Sequence, residues 1–128
     1  MVTLGAHQLS TNLHVHNTSP DTSLEFQALL HTYFAVPASE VSITPLQGLS
    51  YYDKTEKTEE ARATAKIETR EAVDVRKVTD SVYENASGRY HITWVGGDIH
   101  VRSNLKDVVV WNPQQDGAKI GDMEDGGW

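Results

Sequence analysis

Short runs in which apolar and polar residues alternate, separated by clusters of turn residues, dominate this sequence. Residues 8–16 alternate in this way, and a stretch rich in Asn, Thr, Ser and Pro follows at 17–21. An alternation with a period of two places side chains of one kind on one face of a β-strand. Short alternating runs bounded by turns are typical of antiparallel β-proteins. The sequence therefore predicts an all-β fold, an antiparallel β-sandwich.

Residues 24–36 are predicted to form a longer strand. From Leu29 onward both faces of this strand carry apolar side chains, which predicts that it enters an interior covered on both sides. Residues 57–66 have the composition of a helix but lack an apolar stripe at helical spacing, so an exposed loop that leads into a strand is favoured there. The remaining strands are predicted at 41–44, 49–53, 63–69 and 105–111.

Residues 90–102 are predicted to form a β-hairpin. Gly96 and Gly97 form a two-residue connection that tolerates the positive φ angles of a type I′ turn. This register places apolar residues opposite one another on one face and polar residues on the other. The predicted pairs are Trp94 with Ile99, Ile92 with Val101, Thr93 with His100, and His91 with Arg102.

Length, charge and cysteine content limit the class of protein. A chain of 128 residues is sized for one domain, 1–128. Its net charge of −7 argues against nucleic acid or an anionic membrane as a partner, because both repel an acidic surface. It has no cysteine, no visible signal peptide and no run near the ~20 apolar residues that span a bilayer. We therefore expect a cytoplasmic protein.

Two histidine pairs raise the question of a metal site. His14 and His16 project from one strand face, and His91 and His100 can lie near each other across the hairpin. The sequence offers His14 and His16 no third ligand, and a solvated strand face accounts for both pairs. No metal and no cofactor are predicted.

Two further residues are candidates for a functional site. His31 lies in an apolar run, where an imidazole must be hydrogen-bonded or face a cavity. The residues alone leave open whether it is a satisfied core histidine or a catalytic one. Asp80 either caps a turn or binds a hydroxyl group. Tyr51 and Tyr52 are either a pair that stacks on a sugar or one buried and one exposed ring.

Several segments, taken together and in order, carry a family resemblance. They are LEFQALLHTYF at 24–34, LQGLSYYDK at 46–54, TDSVYEN at 79–85, DVVVWNP at 107–113 and the tail KIGDMEDGGW at 119–128. This set resembles the hexose-6-phosphate mutarotases (glucose-6-phosphate 1-epimerases) of the aldose 1-epimerase superfamily. The resemblance implies part of a galactose mutarotase-like supersandwich.

The resemblance also implies an activity and site residues. The family exchanges the α and β anomers of glucose 6-phosphate and related hexose 6-phosphates, so a hexose phosphate is the expected small-molecule partner. The histidine of the LLHTY motif, here His31, is implied to be a catalytic acid. The aspartate before the Val-Tyr pair, here Asp80, is implied to bind substrate hydroxyls. The family requires no metal or nucleotide cofactor.

The matched segments correspond to the C-terminal part of the longer family members. The resemblance implies that the catalytic base, a glutamate, lies just beyond residue 128, so that Glu124 and Asp125 do not replace it. It also implies that the phosphate-binding arginines belong to the N-terminal half. We expect a truncated mutarotase, with or without activity of its own. The alternatives are a non-catalytic carbohydrate-binding or interaction β-domain, and a fragment that aggregates through unpaired strand edges.

Overall fold

The computed structural model describes residues 1–120. The chain divides into two compact units, Met1–Tyr33 and Phe34–Trp128, and each is described by itself. None of the helices in the described part is long and apolar enough to cross a membrane.

The first unit contains one small antiparallel hairpin. Strands β1 (Val2–Leu4) and β2 (Leu9–Thr11) pair antiparallel, with Leu4 opposite Leu9. The predicted strand at 8–16 is therefore present only at its start. The strand predicted at 24–36 is wrong, because residues 12–35 form no regular structure. A strand needs a neighbour for its backbone hydrogen bonds, and no strand in the described part pairs with this segment.

The second unit is built mainly from antiparallel strands. In chain order its elements are β3 (Ser42–Thr44), β4 (Ser50–Asp53), α1 (Glu59–Ala63), β5 (Ala65–Ile67), β6 (Thr79–Tyr83), β7 (Arg89–Trp94), β8 (Gly97–Arg102), β9 (Val108–Asn112) and a 3-10 helix at Gln114–Lys119. The strands form a three-stranded sheet of order β3-β7-β8 and a four-stranded sheet of order β5-β4-β6-β9. The predicted strands at 41–44, 49–53, 63–69 and 105–111 all have counterparts here.

Both sheets contribute apolar side chains to one core. Tyr83 and Val110 come from the four-stranded sheet, and Tyr90 and Ile92 come from the three-stranded sheet. The connecting segments supply the other buried members, Val41, Leu46, Val73 and Val75. The predicted all-β, antiparallel and sandwich-like architecture is confirmed.

Residues 59–63 form a short helix where a loop was favoured. Thr58 caps its N-terminus, since its hydroxyl oxygen accepts a hydrogen bond from the Ala61 N–H at 3.1 Å. Glu59 and Glu60 lie in the first turn, where carboxylates are stabilised by the helix dipole. The helix buries no residue and is only five residues long. Both features agree with the missing apolar stripe, although the helix does form.

The β7–β8 hairpin turns one residue earlier than predicted. Its connection is Val95 and Gly96, and only Gly96 has a positive φ, 102°. Gly97 instead pairs with Trp94 under the indole ring, where a Cβ would stand 2.7 Å from a ring atom. The predicted pairing is therefore wrong throughout. The observed pairs include Ile92 with Ile99, Tyr90 with Val101, and His91 with His100.

Candidate functional site: the open face of the four-stranded sheet

Asp80 lies on β6, with its side chain on the face of the sheet that points away from the core. Its neighbours Thr79 and Ser81 belong to the alternate face, and Ser81 and Tyr83 are buried. Asp80 itself is half-buried. The sequence left open whether it caps a turn or binds a hydroxyl, and its position inside a strand excludes the turn.

Pairing in the sheet surrounds Asp80 with a cation and aromatic rings. Trp111 of β9 lies directly opposite it. On the other side the Lys54 backbone N–H donates to the Asp80 carbonyl oxygen at 2.8 Å. The Lys54 Nζ lies 5.0 Å from the centroid of the Tyr52 ring. We call this set of four residues (Tyr52, Lys54, Asp80 and Trp111) the open-face site.

The surroundings of Asp80 offset only part of the cost of burying its negative charge. Burial raises its pKa, the positive charge of Lys54 lowers it, and the negative charge of Asp53 raises it again, with a net increase. No residue in the described part of the chain donates a hydrogen bond to the carboxylate, although Lys54 is close enough to act through its charge. The carboxylate oxygens therefore remain available as acceptors for hydroxyl groups.

The chemistry of the open-face site suits a polyhydroxylated ring. A carboxylate and an ammonium group supply an acceptor and donors for hydroxyls, while aromatic rings offer apolar surface for C–H groups. Ile67 and Val109 lie on the same face and are 61% and 39% exposed, so the surroundings are accessible to a ligand. Such a mixture of apolar walls and a few polar groups is typical of small-molecule sites.

A second carboxylate, Glu68, is buried and fully engaged. It is 3% exposed and accepts hydrogen bonds from Arg70 Nη2 at 2.7 Å, Arg70 Nε at 2.9 Å and the Tyr83 hydroxyl at 2.7 Å. Burial raises the pKa of Glu68, but the hydrogen bonds from Arg70 and Tyr83 outweigh it and hold the pKa at about 2. A carboxylate with so low a pKa is a poor proton acceptor near neutral pH.

His31 lies in the first unit, and its side chain is exposed. Its Nδ1 lies 3.3 Å from the Tyr33 hydroxyl, and the two ring centroids are 6.1 Å apart. The expectation of an apolar interior around His31 is wrong within this unit, because the strand that was to carry it into a core does not form. The expected hydrogen-bond partner is present in Tyr33. Asp80 belongs to the second unit.

Three metal-ligating side chains come together on the outer face of the β7–β8 hairpin. Asp98 Oδ2 lies 2.9 Å from His91 Nε2 and 3.2 Å from His100 Nε2. His91 and His100 stack with ring centroids 4.2 Å apart. The expected proximity of His91 and His100 is confirmed, although they pair directly rather than in the predicted register, and Asp98 was not included in the prediction. Glu124, Asp125 and most of the tail at 119–128 lie outside the described residues.

Sequence reasoning found part of the open-face site and missed the rest. Asp80 came from the family resemblance, and Tyr52 from the adjacent tyrosines. Lys54 and Trp111 were not singled out, because their position beside Asp80 depends on how β4, β6 and β9 pair. The strand β6 was not predicted. The run Val108–Trp111 did indicate a strand, but a pattern of apolar residues does not specify which strands are neighbours.

A comparison with protein family models supports the resemblance to the aldose 1-epimerase superfamily. A family model described as aldose 1-epimerase matches residues 1–127, which is nearly the whole chain. This match extends through both compact units and includes His31 and Asp80. It agrees with the resemblance at the level of the superfamily and does not distinguish hexose 6-phosphates from other sugars. The chain belongs to the aldose 1-epimerase family.

Proposed function

We propose that this protein is a glucose-6-phosphate 1-epimerase-like mutarotase that acts on hexose 6-phosphates. In this proposal Asp80 binds substrate hydroxyls and His31 is the catalytic acid. Family membership supports a mutarotase-like function in general. The choice of hexose 6-phosphates rests on the motif resemblance. A single domain over 1–128 that corresponds to the C-terminal part of the family fold, and a cytoplasmic location, remain predictions.

The reaction calls for one acid and one base. A base removes the proton from the anomeric hydroxyl, the bond between C1 and the ring oxygen breaks, and an acid protonates that oxygen. Rotation about C1–C2 and closure in reverse give the other anomer. Histidine suits the acid role because it gains and loses a proton near neutral pH. Positioned proton transfer of this kind contributes ~10²–10⁴-fold to the rate.

The environment of Asp80 is the observation that supports its proposed role in binding the substrate. A half-buried carboxylate that receives no hydrogen bond from the described residues retains an unsatisfied acceptor, and burial costs it free energy that a sugar hydroxyl would offset. The positive charge of Lys54 offsets only part of this cost. Tyr52 on the same face provides apolar surface for a sugar ring, and Trp111 lies opposite Asp80 in the sheet.

The second candidate function is carbohydrate binding without catalysis. This function is favoured by Glu68, the buried glutamate among the described residues. Arg70 and Tyr83 keep its carboxylate ionised with a pKa of about 2, so Glu68 is a poor catalytic base. Glu68 also lies with Tyr83, on the core side of the sheet rather than with Asp80. A binding domain needs the open-face site but no base.

Anomer exchange of glucose 6-phosphate, followed by NMR magnetisation transfer, tests the proposal. Exchange above the buffer rate in the wild type that is lost in His31→Ala is the result expected of a mutarotase. His16→Ala is the matched control, because it removes another exposed histidine of the same unit and is expected to leave the rate unchanged. Parallel runs with glucose test whether the 6-phosphate is required.

The outcomes separate the two candidates. Exchange that depends on His31 supports the mutarotase. Binding of glucose 6-phosphate without exchange supports the carbohydrate-binding domain. A chain that neither binds nor exchanges the sugar contradicts both, and exchange that survives in His31→Ala contradicts the assigned acid.

A further inference from the structure

The outer face of the β7–β8 hairpin carries a compact group of two imidazoles and one carboxylate. His91 and His100 are directly opposite each other in the register, and Asp98 precedes His100 by two residues on the same face of β8. Their ligand atoms, one from each side chain, all lie within 4.8 Å of one another. The group lies on the three-stranded sheet and takes no part in the open-face site.

The ligand types are those of a borderline transition-metal ion. Neutral imidazole nitrogens and a carboxylate oxygen are common ligands of Zn²⁺, whereas Mg²⁺ and Ca²⁺ prefer oxygen ligands throughout. At Zn–N and Zn–O bonds of about 2.0–2.2 Å, two ligands of a tetrahedral ion stand roughly 3.3–3.6 Å apart. The observed separations from Asp98 Oδ2, 2.9 Å and 3.2 Å, are hydrogen-bond and ion-pair distances, so the ligand atoms need to move apart by only a few tenths of an ångström to reach this spacing.

We propose that His91, Asp98 and His100 form a binding site for a zinc-class divalent transition-metal ion. The rings now stack with an angle of 7° between their planes, so their nitrogen lone pairs lie in nearly parallel planes. An ion shared by both rings requires each ring to tilt toward the other. Their side chains are 40% and 71% exposed, which leaves room for that rotation.

The backbone holds the three ligands in register before any ion binds. β7 is paired on both sides, with β8 along its full length and with β3 through Thr44 opposite His91. Ligands on paired strands are positioned more accurately than ligands on loops. Three protein ligands leave a fourth tetrahedral position for water or another small ligand, the arrangement of open zinc sites.

The charged neighbours set a limit on the affinity. Arg89 and Arg102 form the next pair on the same face of the hairpin as the two histidines. The facing residues of β3, Ser42 and Thr44, carry no charge, and Thr93 opposite Asp98 is also neutral. Two guanidinium groups repel a divalent cation, so replacing both with glutamine is expected to tighten binding.

Titration of the full chain with ZnCl₂ tests the site, with calorimetry for affinity and stoichiometry and NMR for the histidine ring signals. The wild type is expected to bind one zinc ion with perturbed ring signals of His91 and His100. His100→Asn is expected to lower the affinity by at least ~10-fold, since removing even an outer-shell partner commonly costs 10–100-fold. MgCl₂ is expected to produce no change at these rings.

The double variant His14→Asn/His16→Asn is the matched control, because it removes the other histidine pair of the chain. It is expected to retain the zinc affinity of the wild type. The proposal is overturned if zinc affinity is lost in this control and kept in His100→Asn, or if zinc leaves the His91 and His100 rings of the wild type unperturbed. The ring signals test the site in the unmodified protein, whatever the variants do to folding.

Discussion

Glu68 shows how one residue can be important for stability and still unsuited to catalysis. Its carboxylate is 3% exposed and receives its hydrogen bonds from Arg70 and Tyr83. The same contacts that make burial of a charge tolerable remove its basicity. Asp80 is the opposite case, because it is half-buried and receives no hydrogen bond from the described residues. The contrast separates a structural carboxylate from a candidate binding group.

Glu68 is expected to make stability depend on pH at the acidic end. Its pKa falls from an ordinary value of 4.5 to about 2 on folding. The stabilisation is therefore fully present above about pH 5 and is lost as the pH falls toward 2, a change of about 3 kcal/mol. Urea unfolding of Glu68→Gln and wild type between pH 7 and 2 measures this. The difference between them should shrink as the pH falls.

Glu71→Gln is the control for this measurement, because Glu71 is an exposed glutamate in the same region. It is expected to leave the pH dependence of the wild type intact. A wild-type unfolding free energy that stays constant from pH 5 to pH 2 contradicts the assigned role of Glu68.

At the scale of elements, Gly88 closes the start of the β7–β8 hairpin in a way that only glycine allows. Its φ is 71°, and a Cβ built there would stand 2.2 Å from the Ser103 carbonyl oxygen. That oxygen belongs to the backbone of a neighbouring segment, and the Ser103 N–H donates to the Gly88 carbonyl at 2.7 Å. A side chain at this position must therefore displace backbone rather than another side chain.

Gly88→Ala is expected to lower the free energy of unfolding by more than about 2 kcal/mol, since backbone strain and a steric clash add together. Gly48→Ala is the matched control. Gly48 also has a positive φ, 82°, but a Cβ there would meet nothing within 4 Å, so only the strain of about 1–2 kcal/mol applies. Equal losses measured by urea unfolding would contradict the assigned clash with Ser103.

The elements that the sequence predicted correctly are those with local signals. Alternation and turn residues placed β3, β4, β5, β9 and the hairpin. The hairpin register was missed, because Val95-Gly96 and Gly96-Gly97 are both workable two-residue turns. In the observed register Trp94 packs over Gly97, a contact that the local pattern does not reveal. The strand predicted at 24–36 failed for a similar reason, since alternation does not supply a pairing partner.

The same limit applies to the candidate site. Asp80 and Tyr52 were recognised from motifs, whereas Lys54, Trp111 and the His91–Asp98–His100 group depend on strand pairing that connects distant parts of the chain. The resemblance supplied the family, which the family comparison confirmed over residues 1–127. It left the sugar specificity as a proposal.

At the scale of the whole molecule, the first unit exposes an unusual amount of apolar surface. Residues 12–33 form no regular structure, and Phe26 and Leu29 are 58% and 65% exposed. The other large exposed side chains of this segment are Leu13, Val15, Leu24, Leu30 and Tyr33. Burying apolar area yields about 25 cal/mol per Å², so a surface of this kind favours association.

We expect the chain to self-associate as its concentration rises, which sedimentation velocity measures directly. Phe26→Ser/Leu29→Ser is expected to increase the monomer fraction, because it removes two of the most exposed apolar side chains. Ile67→Ser is the control, since it removes a side chain of similar exposure, 61%, from the second unit. A monomer at every concentration would contradict this account of residues 12–33.

We propose that the open-face site of this aldose 1-epimerase family member binds a hexose 6-phosphate. Titration of the ¹⁵N-labelled chain with glucose 6-phosphate, followed through backbone amide and Trp indole signals, tests it most directly. We expect saturable shifts centred on Tyr52, Lys54, Asp80 and Trp111. The affinity for glucose 6-phosphate should be at least ~10-fold lower in Asp80→Asn, because a charge-assisted hydrogen bond contributes roughly 1.5–3 kcal/mol. Shifts confined to the three-stranded sheet, or unchanged affinity in Asp80→Asn, would contradict it.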